Sequence, residues 1–396
     1  MSRIDDLIQK HCPDGVAGRP LGSLGTRNKG TAITASKMKT IGGGGPIRVF
    51  AGGQTVADVA EDAIPAKDVV RIPSIIVKSR GHIGFSYYEH PFTHKTELWS
   101  YSIDDAGVDQ KFVYYYLLTQ VEKLQALARA TSVKLPQLSV RDTDTLRIPV
   151  PPLEVQREIV RVLDKFTQLE AELEAELEAR QLQRVALANN FEVAARDRVA
   201  QNVIKLGSIA SQAIDPVPVV AGQFYNSLGV KWRGEGVLIR KSRDGAEIKA
   251  TTLYRAQPGQ LVYNKMFVVE GSFAIVPEGD EPAAVSNEFP VFNIDRSKVE
   301  PLWLLEHLCN PYTLRRIERE VTGTERGTMK SRRRWKSGQF LNFEIDLPPL
   351  DEQREIVRVL RASDRLISSL ESELAARRKQ YEYYRDRLLT FEELTA

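Results

Sequence analysis

Between residues 153 and 180, apolar side chains recur at Ile159, Val162, Phe166, Leu169, Leu173 and Leu177, in steps of three and four. That spacing lays one stripe along a helix. Around it stand Glu170, Glu172, Glu174, Glu176 and Glu178. A second stripe, Ile356, Val359, Leu366, Leu370 and Leu374, repeats the pattern near the other end of the chain. Paired prolines open both stretches, which suits a helix start, where a missing N–H costs nothing. Each helix is expected to run for about 40 residues, on the order of 60 Å at 1.5 Å per residue. One stripe on so long a helix needs a partner. The two copies supply each other, so the pattern predicts an antiparallel coiled coil in which Ile159, Phe166 and Leu173 face Ile356, Leu366 and Leu370. The alternative is two surface helices, each packed on its own domain, which leaves the matched stripes unexplained.

The stripes belong to an internal repeat. Residues 151–163 read Pro-Pro-Leu-Glu-Val-Gln-Arg-Glu-Ile-Val-Arg-Val-Leu, and residues 348–360 read Pro-Pro-Leu-Asp-Glu-Gln-Arg-Glu-Ile-Val-Arg-Val-Leu. They agree at 11 of 13 positions at an offset of 197, half the chain of 396 residues. Weaker echoes follow the same division: Leu21-Gly22-Ser23-Leu24 with Leu206-Gly207-Ser208-Ile209, Ile75-Ile76-Val77-Lys78 with Leu261-Val262-Tyr263-Asn264, and Phe112–Leu117 with Leu302–Leu308. The chain therefore divides into a globular part (1–148), a helix (149–191), a second globular part (192–346) and a second helix (347–396). Within the globular parts, Val69–Val77 and Gly271–Val276 read as short strands bounded by turn residues. Phe112–Ala128 and Pro301–Val321 read as helices. The fold class is α+β.

Charge alters this picture locally. The 55 basic and 52 acidic residues give a formal net charge of only +3, so distribution must decide whether nucleic acid is a partner. From Arg315 to Lys336 nine basic residues stand against three acidic ones, among Gly323, Gly327, Thr322, Thr324 and Thr328. Small residues let backbone approach a phosphate, and arginines supply charge and forked donors to guanine edges. Arg326, Lys330, Arg332, Arg333, Arg334 and Lys336 are the candidate contacts there. The equivalent place in the first half carries the milder set Arg129, Lys134 and Gln137. A second basic loop, Lys78, Arg80 and His82, lies opposite Asn264 and Lys265. Basic loops at matching points of both halves favour DNA over an accident of surface charge.

The chain carries no complete catalytic motif. No Gly-Lys dipeptide exists, which excludes a phosphate loop of the Walker type. Gly42-Gly43-Gly44-Gly45 lacks the third spaced glycine of a dinucleotide fingerprint and reads as a turn. Neither Pro-Pro pair sits in the Asp/Asn-Pro-Pro-aromatic setting of an amino-methyltransferase. Glu247-Ile248-Lys249 is only the tail of a nuclease carboxylate motif. His82, His90 and His94 suggest no metal site, since Pro91 spoils helical spacing and no cysteine is near. Cys12 and Cys309 alone exclude a disulfide scaffold and fit a reducing cytosol. No apolar run reaches the length of a membrane span.

The order globular part, Pro-Pro-Leu-x-x-Gln-Arg-Glu-Ile-Val helix, globular part, same helix resembles the specificity subunit of a type I restriction-modification enzyme. Asp5-Asp6-Leu7-Ile8 to Cys12-Pro13-Asp14-Gly15-Val16, Leu163-Asp164-Lys165-Phe166 and Tyr381–Leu389 are similar to that family as well. The resemblance implies a non-catalytic chain whose two globular parts are target-recognition domains, each reading one half of a split, asymmetric site in double-stranded DNA. It implies that the helices act as a ruler and dock two methyltransferase subunits, and through them two restriction (motor nuclease) subunits, in the cytoplasm. No cofactor is expected on this chain; the assembled complex is expected to use S-adenosylmethionine, ATP and Mg2+. Where the second helix has Arg377-Arg378-Lys379-Gln380-Tyr381, the first has Arg180-Gln181-Leu182-Gln183-Arg184, so the docking surfaces differ. The competing reading is a coiled-coil adaptor that pairs protein subunits without reading DNA.

Overall fold

The computed structural model describes residues 3–53, 55–131, 135–197, 202–278, 283–322 and 334–394. They form two compact units: residues 1–174 with 372–396, and residues 175–371. Each unit contains one globular part and a stretch of both long helices.

In the first unit, α1 (Arg3–His11) and α2 (Ala35–Ile41) accompany two small sheets. The larger sheet is antiparallel, in the order 25–29, 99–103, 74–78, 84–88. The smaller orders 56–59, 42–50, 92–94. The central strand Ser74-Ile75-Ile76-Val77 is buried throughout, as a strand covered on both faces must be. Helices α3 (Gln110–Thr119), α4 (Val121–Thr131) and α5 (Val140–Asp144) follow. Leu21, Ile75, Val77, Tyr101, Val113, Leu117 and Ile148 are fully buried in one core.

The long helix α6 (Leu153–Asp197) starts just after the paired prolines, with Val155 N–H donating to Pro152 O at 2.9 Å. Gln156, the glutamine of the repeated motif, is fully buried. Its Oε1 accepts from the N–H of Asp109, the N-cap of α3, at 2.7 Å, and its Nε2 donates to Gly107 O (3.0 Å) and Pro151 O (2.6 Å). The motif thus bolts the long helix to the start of α3. Asp164 adds a second attachment, accepting from Tyr115 Oη at 2.6 Å and Lys111 Nζ at 3.1 Å.

The second unit repeats the plan. Its four-stranded sheet orders 210–213, 291–294, 261–263, 273–275, and its three-stranded sheet orders 216–218, 252–256, 283–285. A two-stranded pairing precedes the long helix in both units, 18–20 with 147–149 and 203–205 with 344–346. Helices α7 (Pro301–Cys309), α8 (Pro311–Thr322) and α9 (Ser337–Asn342) lead to α10 (Leu350–Leu388). Gln353 is again fully buried. It accepts from Glu300 N–H (2.8 Å), the N-cap of α7, and donates to Lys298 O (3.2 Å) and Pro348 O (2.7 Å).

Both spans read as single helices divide in two. Asn310 is extended (φ −65°, ψ 137°) because Pro311 disfavours helical geometry in the residue before it, and its side chain accepts from Tyr312 N–H at 2.8 Å. In the first unit the break falls at Gln120, which ends α3 with a tightened bond from its N–H to Leu117 O.

The long helices pack antiparallel. In the first unit Phe166 stacks on Tyr384 (ring centroids 5.6 Å apart) and touches Tyr381 (6.4 Å), while Arg378 pairs with Glu170 at 2.7 Å and with Glu174. In the second, Arg184 of α6 pairs with Asp364 of α10 (2.8 Å) and Glu306 of α7 (2.7 Å). Ile159 is fully buried in a cluster with Phe112, Leu163, Leu388 and Leu389, and Ile356 is largely buried in one with Leu206, Trp303 and Leu360. Leu173 and Leu370 are half-buried and Leu366 is 43% exposed. In the first unit the chain ends meet: Val16 N–H donates to Glu392 O (2.8 Å) and Leu394 N–H to Val16 O (3.2 Å).

Candidate nucleic-acid interface

The two basic loops noted in the sequence follow the central strand of each larger sheet. In the first unit Lys78 ends the strand, half-buried, and Arg80 and His82 are exposed on the loop that returns to strand 84–88. Gly81 makes the loop possible, with φ +74°, a region closed to most L side chains. The Gln125 side chain of α4 holds it, accepting from Ile83 N–H (2.8 Å) and donating to Gly81 O (3.2 Å). Segment 135–138 runs alongside: Gly81 N–H donates to Pro136 O (2.9 Å), Leu138 N–H donates to Ser79 O (2.9 Å), and Arg80 bridges Gln137. Arg80, His82 and Gln137, distant in sequence, thus share one edge. Arg129 is exposed in the last turn of α4. Lys134 lies outside the described residues.

The second unit uses the same device. Asn264 follows strand 261–263, and its side chain accepts from Met266 N–H at 3.0 Å. Lys265 is fixed on three sides: its N–H donates to Glu288 O (3.0 Å), its Nζ donates to Asn287 O (2.5 Å), and its carbonyl accepts from Trp335 N–H (3.1 Å). Trp335 is fully buried among Tyr263, Phe273, Phe340 and Phe343, its indole donating to Glu320 Oε2 at 3.1 Å. Trp335 stands 197 residues after Leu138, the repeat offset, and makes the matching backbone bond. In the sequence this tryptophan stands within a basic stretch, and only the fold shows that it anchors the loop; its register with the apolar Leu138 is the signal the sequence offers. Arg334, which matches Gln137, is exposed and pairs with Glu288 at 2.8 Å. Lys336 is exposed at the N-cap of α9. Arg326, Lys330, Arg332 and Arg333 lie outside the described residues.

Both edges mix cations with a carboxylate, Arg80 near Glu97 in the first unit and Arg334 paired with Glu288 in the second. Glu97, beside the first loop, is held below the usual carboxylate range although its burial works against this, because Lys95 pairs with it at 2.7 Å and Arg80 adds positive field. It therefore stays ionised and does not act as an acid. His94 is fully buried, and that burial lowers its pKa; its ring faces Lys95 O (3.2 Å) and Ser100 Oγ (3.3 Å). It is a neutral structural histidine. Burial pushes the Cys309 thiol up to about 12, so it is no nucleophile at neutral pH. Among the described residues no group of His, Cys, Asp and Glu is arranged to hold a metal ion, and no helix is long and apolar enough to cross a membrane.

Residues 13–179 match the family described as the type I restriction modification DNA specificity domain. The match takes in the first globular part and much of the first long helix. A type I restriction enzyme specificity subunit of Escherichia coli is 28% identical over 318 residues, covering 73% of each chain. The crystal structure of the type I S subunit of M. genitalium shares the fold with a TM-score of 0.57 at 15% identity, over 94% of this chain and 96% of that one. A chain from a structure titled for complex assembly and conformational transition of the type I R-M system aligns with a TM-score of 0.58 at 15% identity, over 96% and 98%. Both solved structures align over nearly the whole chain, so the likeness of fold takes in both globular parts and both long helices.

Proposed function

We propose that this chain is the sequence-specific DNA-recognition subunit of a type I restriction-modification complex. Each globular part reads one half of a split, asymmetric duplex site, and the helix pair sets the gap between the halves. The observation that carries the reading is the matched loop: in each unit a basic turn after the central strand is pinned by backbone bonds to the segment just before the next helix. A turn held this way offers cations on a preorganised edge. Contacts from Lys78, Arg129 and Lys265 to phosphate set register, while Arg80, Gln137, Asn264 and Arg334 have the forked or paired donors and acceptors that distinguish base edges. His82 and Lys336, with Lys134, Arg326, Lys330, Arg332 and Arg333, complete the proposed contact set. The adaptor reading accounts for the helices and leaves the paired basic turns without a role.

In this reading the chain does no chemistry. Two methyltransferase subunits dock on the helix pair, and two restriction subunits join through them. S-adenosylmethionine, ATP and Mg2+ are used by those partners in the cytoplasm, and this chain holds none of them. The division between a recognition part of 1–148 with helix 149–191 and a second of 192–346 with helix 347–396 is proposed on the same ground. The test is methylation profiling of DNA from cells carrying this chain and its partners. A bipartite motif with two unlike halves is expected. A complex that methylates without sequence preference would refute the reading.

A further inference from the structure

Only the second unit carries, among the described residues, a separate hairpin of strands 228–230 and 237–239 between its first and central strands. The corresponding part of the first unit is α2 and strands 42–50 and 56–59, absorbed into its three-stranded sheet. The hairpin tip reads Lys231-Trp232-Arg233-Gly234-Glu235-Gly236. Trp232 is 56% exposed, although indole is a costly group to leave in water. Arg233 has φ +54°, the one positive value at a non-glycine among the described residues. Such strain persists only where the surroundings enforce it. Here they do: Arg233 N–H donates to Glu270 O and Gly234 N–H to Gly271 O, both at 2.9 Å, and Ser272 Oγ donates to Val230 O at 3.1 Å. At Gly234 a Cβ would stand 2.9 Å from Cys309 Sγ on α7, so the tip is seated on the domain. Trp232 itself rests at 6.0 Å from the Phe267 ring.

The strand-to-strand loop that anchors the tip, 264–272, is the one that bears Asn264 and Lys265. Lys231 and Arg233 flank the indole, are exposed, and have no carboxylate partner among the described residues. We infer that this hairpin is a further DNA-contacting element peculiar to the second recognition domain: Trp232 packs against base edges in the groove, and Lys231 and Arg233 neutralise the phosphates on either side. The inference rests on the proposed DNA-reading function. In a duplex groove an indole makes apolar contact with base edges, a thymine methyl above all, and flanking cations supply the phosphate attraction that a purely apolar protein contact does not need. Glu235 at the tip offsets part of that charge, so the ring rather than net charge defines the element.

The test uses the chain assembled with its methyltransferase subunits and the cognate duplex. Trp232→Ala is expected to raise Kd about tenfold and Trp232→Phe much less, as for loss of one base contact in a duplex. Lys231→Gln and Arg233→Gly are each expected to lower the salt slope by about one. Arg233→Gly also keeps misfolding out of the argument, because glycine accepts φ +54° without strain. Sequence tolerance should widen only in the half-site read by the second domain. If the parent complex discriminates its site while all four variants bind as it does, the inference fails and the general reading survives. If the variants lose methyltransferase subunits and keep DNA affinity once assembled, the hairpin is a protein dock and the inference is likewise overturned. A parent complex that shows no site preference sinks both.

Discussion

Replacing the buried motif glutamine measures how far the repeat is structural. Gln353→Leu keeps the side-chain volume roughly constant and removes one acceptor and two donors. It leaves Glu300 N–H and the carbonyls of Lys298 and Pro348 without the partners they now have at 2.8, 3.2 and 2.7 Å. At about 1 kcal/mol per net hydrogen bond, with the site fully buried, the loss is about 3 kcal/mol. For a unit of this size that corresponds to a fall in Tm of roughly 6–12 °C. Gln156→Leu removes the same three bonds from the first unit and should cost about as much. Gln353→Glu keeps the acceptor and faces two carbonyls with a carboxylate. It should be at least as damaging at neutral pH and partly rescued as pH falls, since protonation restores a donor. Urea unfolding followed by circular dichroism and by tryptophan fluorescence, which reports Trp303 and Trp335 in the second unit and Trp99 in the first, reads each cost. A loss below about 1 kcal/mol in either leucine variant would refute the clamp.

Four further outcomes are expected. Phe166→Ala removes the stack on Tyr384 and the contact with Tyr381 from a half-buried site, and calorimetry should show a loss of about 1–2 kcal/mol; a neutral result means the helices do not rely on each other there. The His94 pKa is lowered in the folded state, so the unfolded chain binds more protons and the histidine's stabilising share, complete above the unfolded value of about 6.5, is lost progressively as pH falls below it toward the lower folded value. Unfolding titrations at pH 7.5 and 5.5 should differ less for His94→Gln than for the parent, and equal slopes would contradict this. Arg80→Ala should relax specificity by roughly 1–3 kcal/mol at one position of the first half-site, leaving the second strict, as read by sequencing methylated sites; loss in both halves would argue against separate readers. Inserting four residues in each long helix adds about 6 Å of rise and should lengthen the gap by one or two base pairs with the half-site letters unchanged; altered letters with an unchanged gap would contradict the ruler.

Periodicity alone determined the two long helices, their likeness and their antiparallel pairing, because a stripe at 3.6-residue spacing is meaningful only against a partner. The 197-residue offset likewise announced the duplicated plan. Periodicity did not determine what each stripe residue meets. Ile159 and Ile356 go into clusters shared with the globular parts, Phe166 finds tyrosines, and Leu366 stays 43% exposed. Which stripe position is covered depends on where α3 and α7 lie against the long helices, and that is set by contacts far away in sequence. The motif glutamines show the same division: their recurrence is visible in the chain, but their task of capping α3 and α7 exists only once helix starts 47 and 53 residues away are brought to them. Charge counting found the basic loops, yet only the fold put Arg80 beside Gln137, buried Trp335 under Lys265, and raised Trp232 on a strained tip. Local spacing decides which face of a helix or strand is apolar; packing between distant segments decides which polar groups come together at one edge.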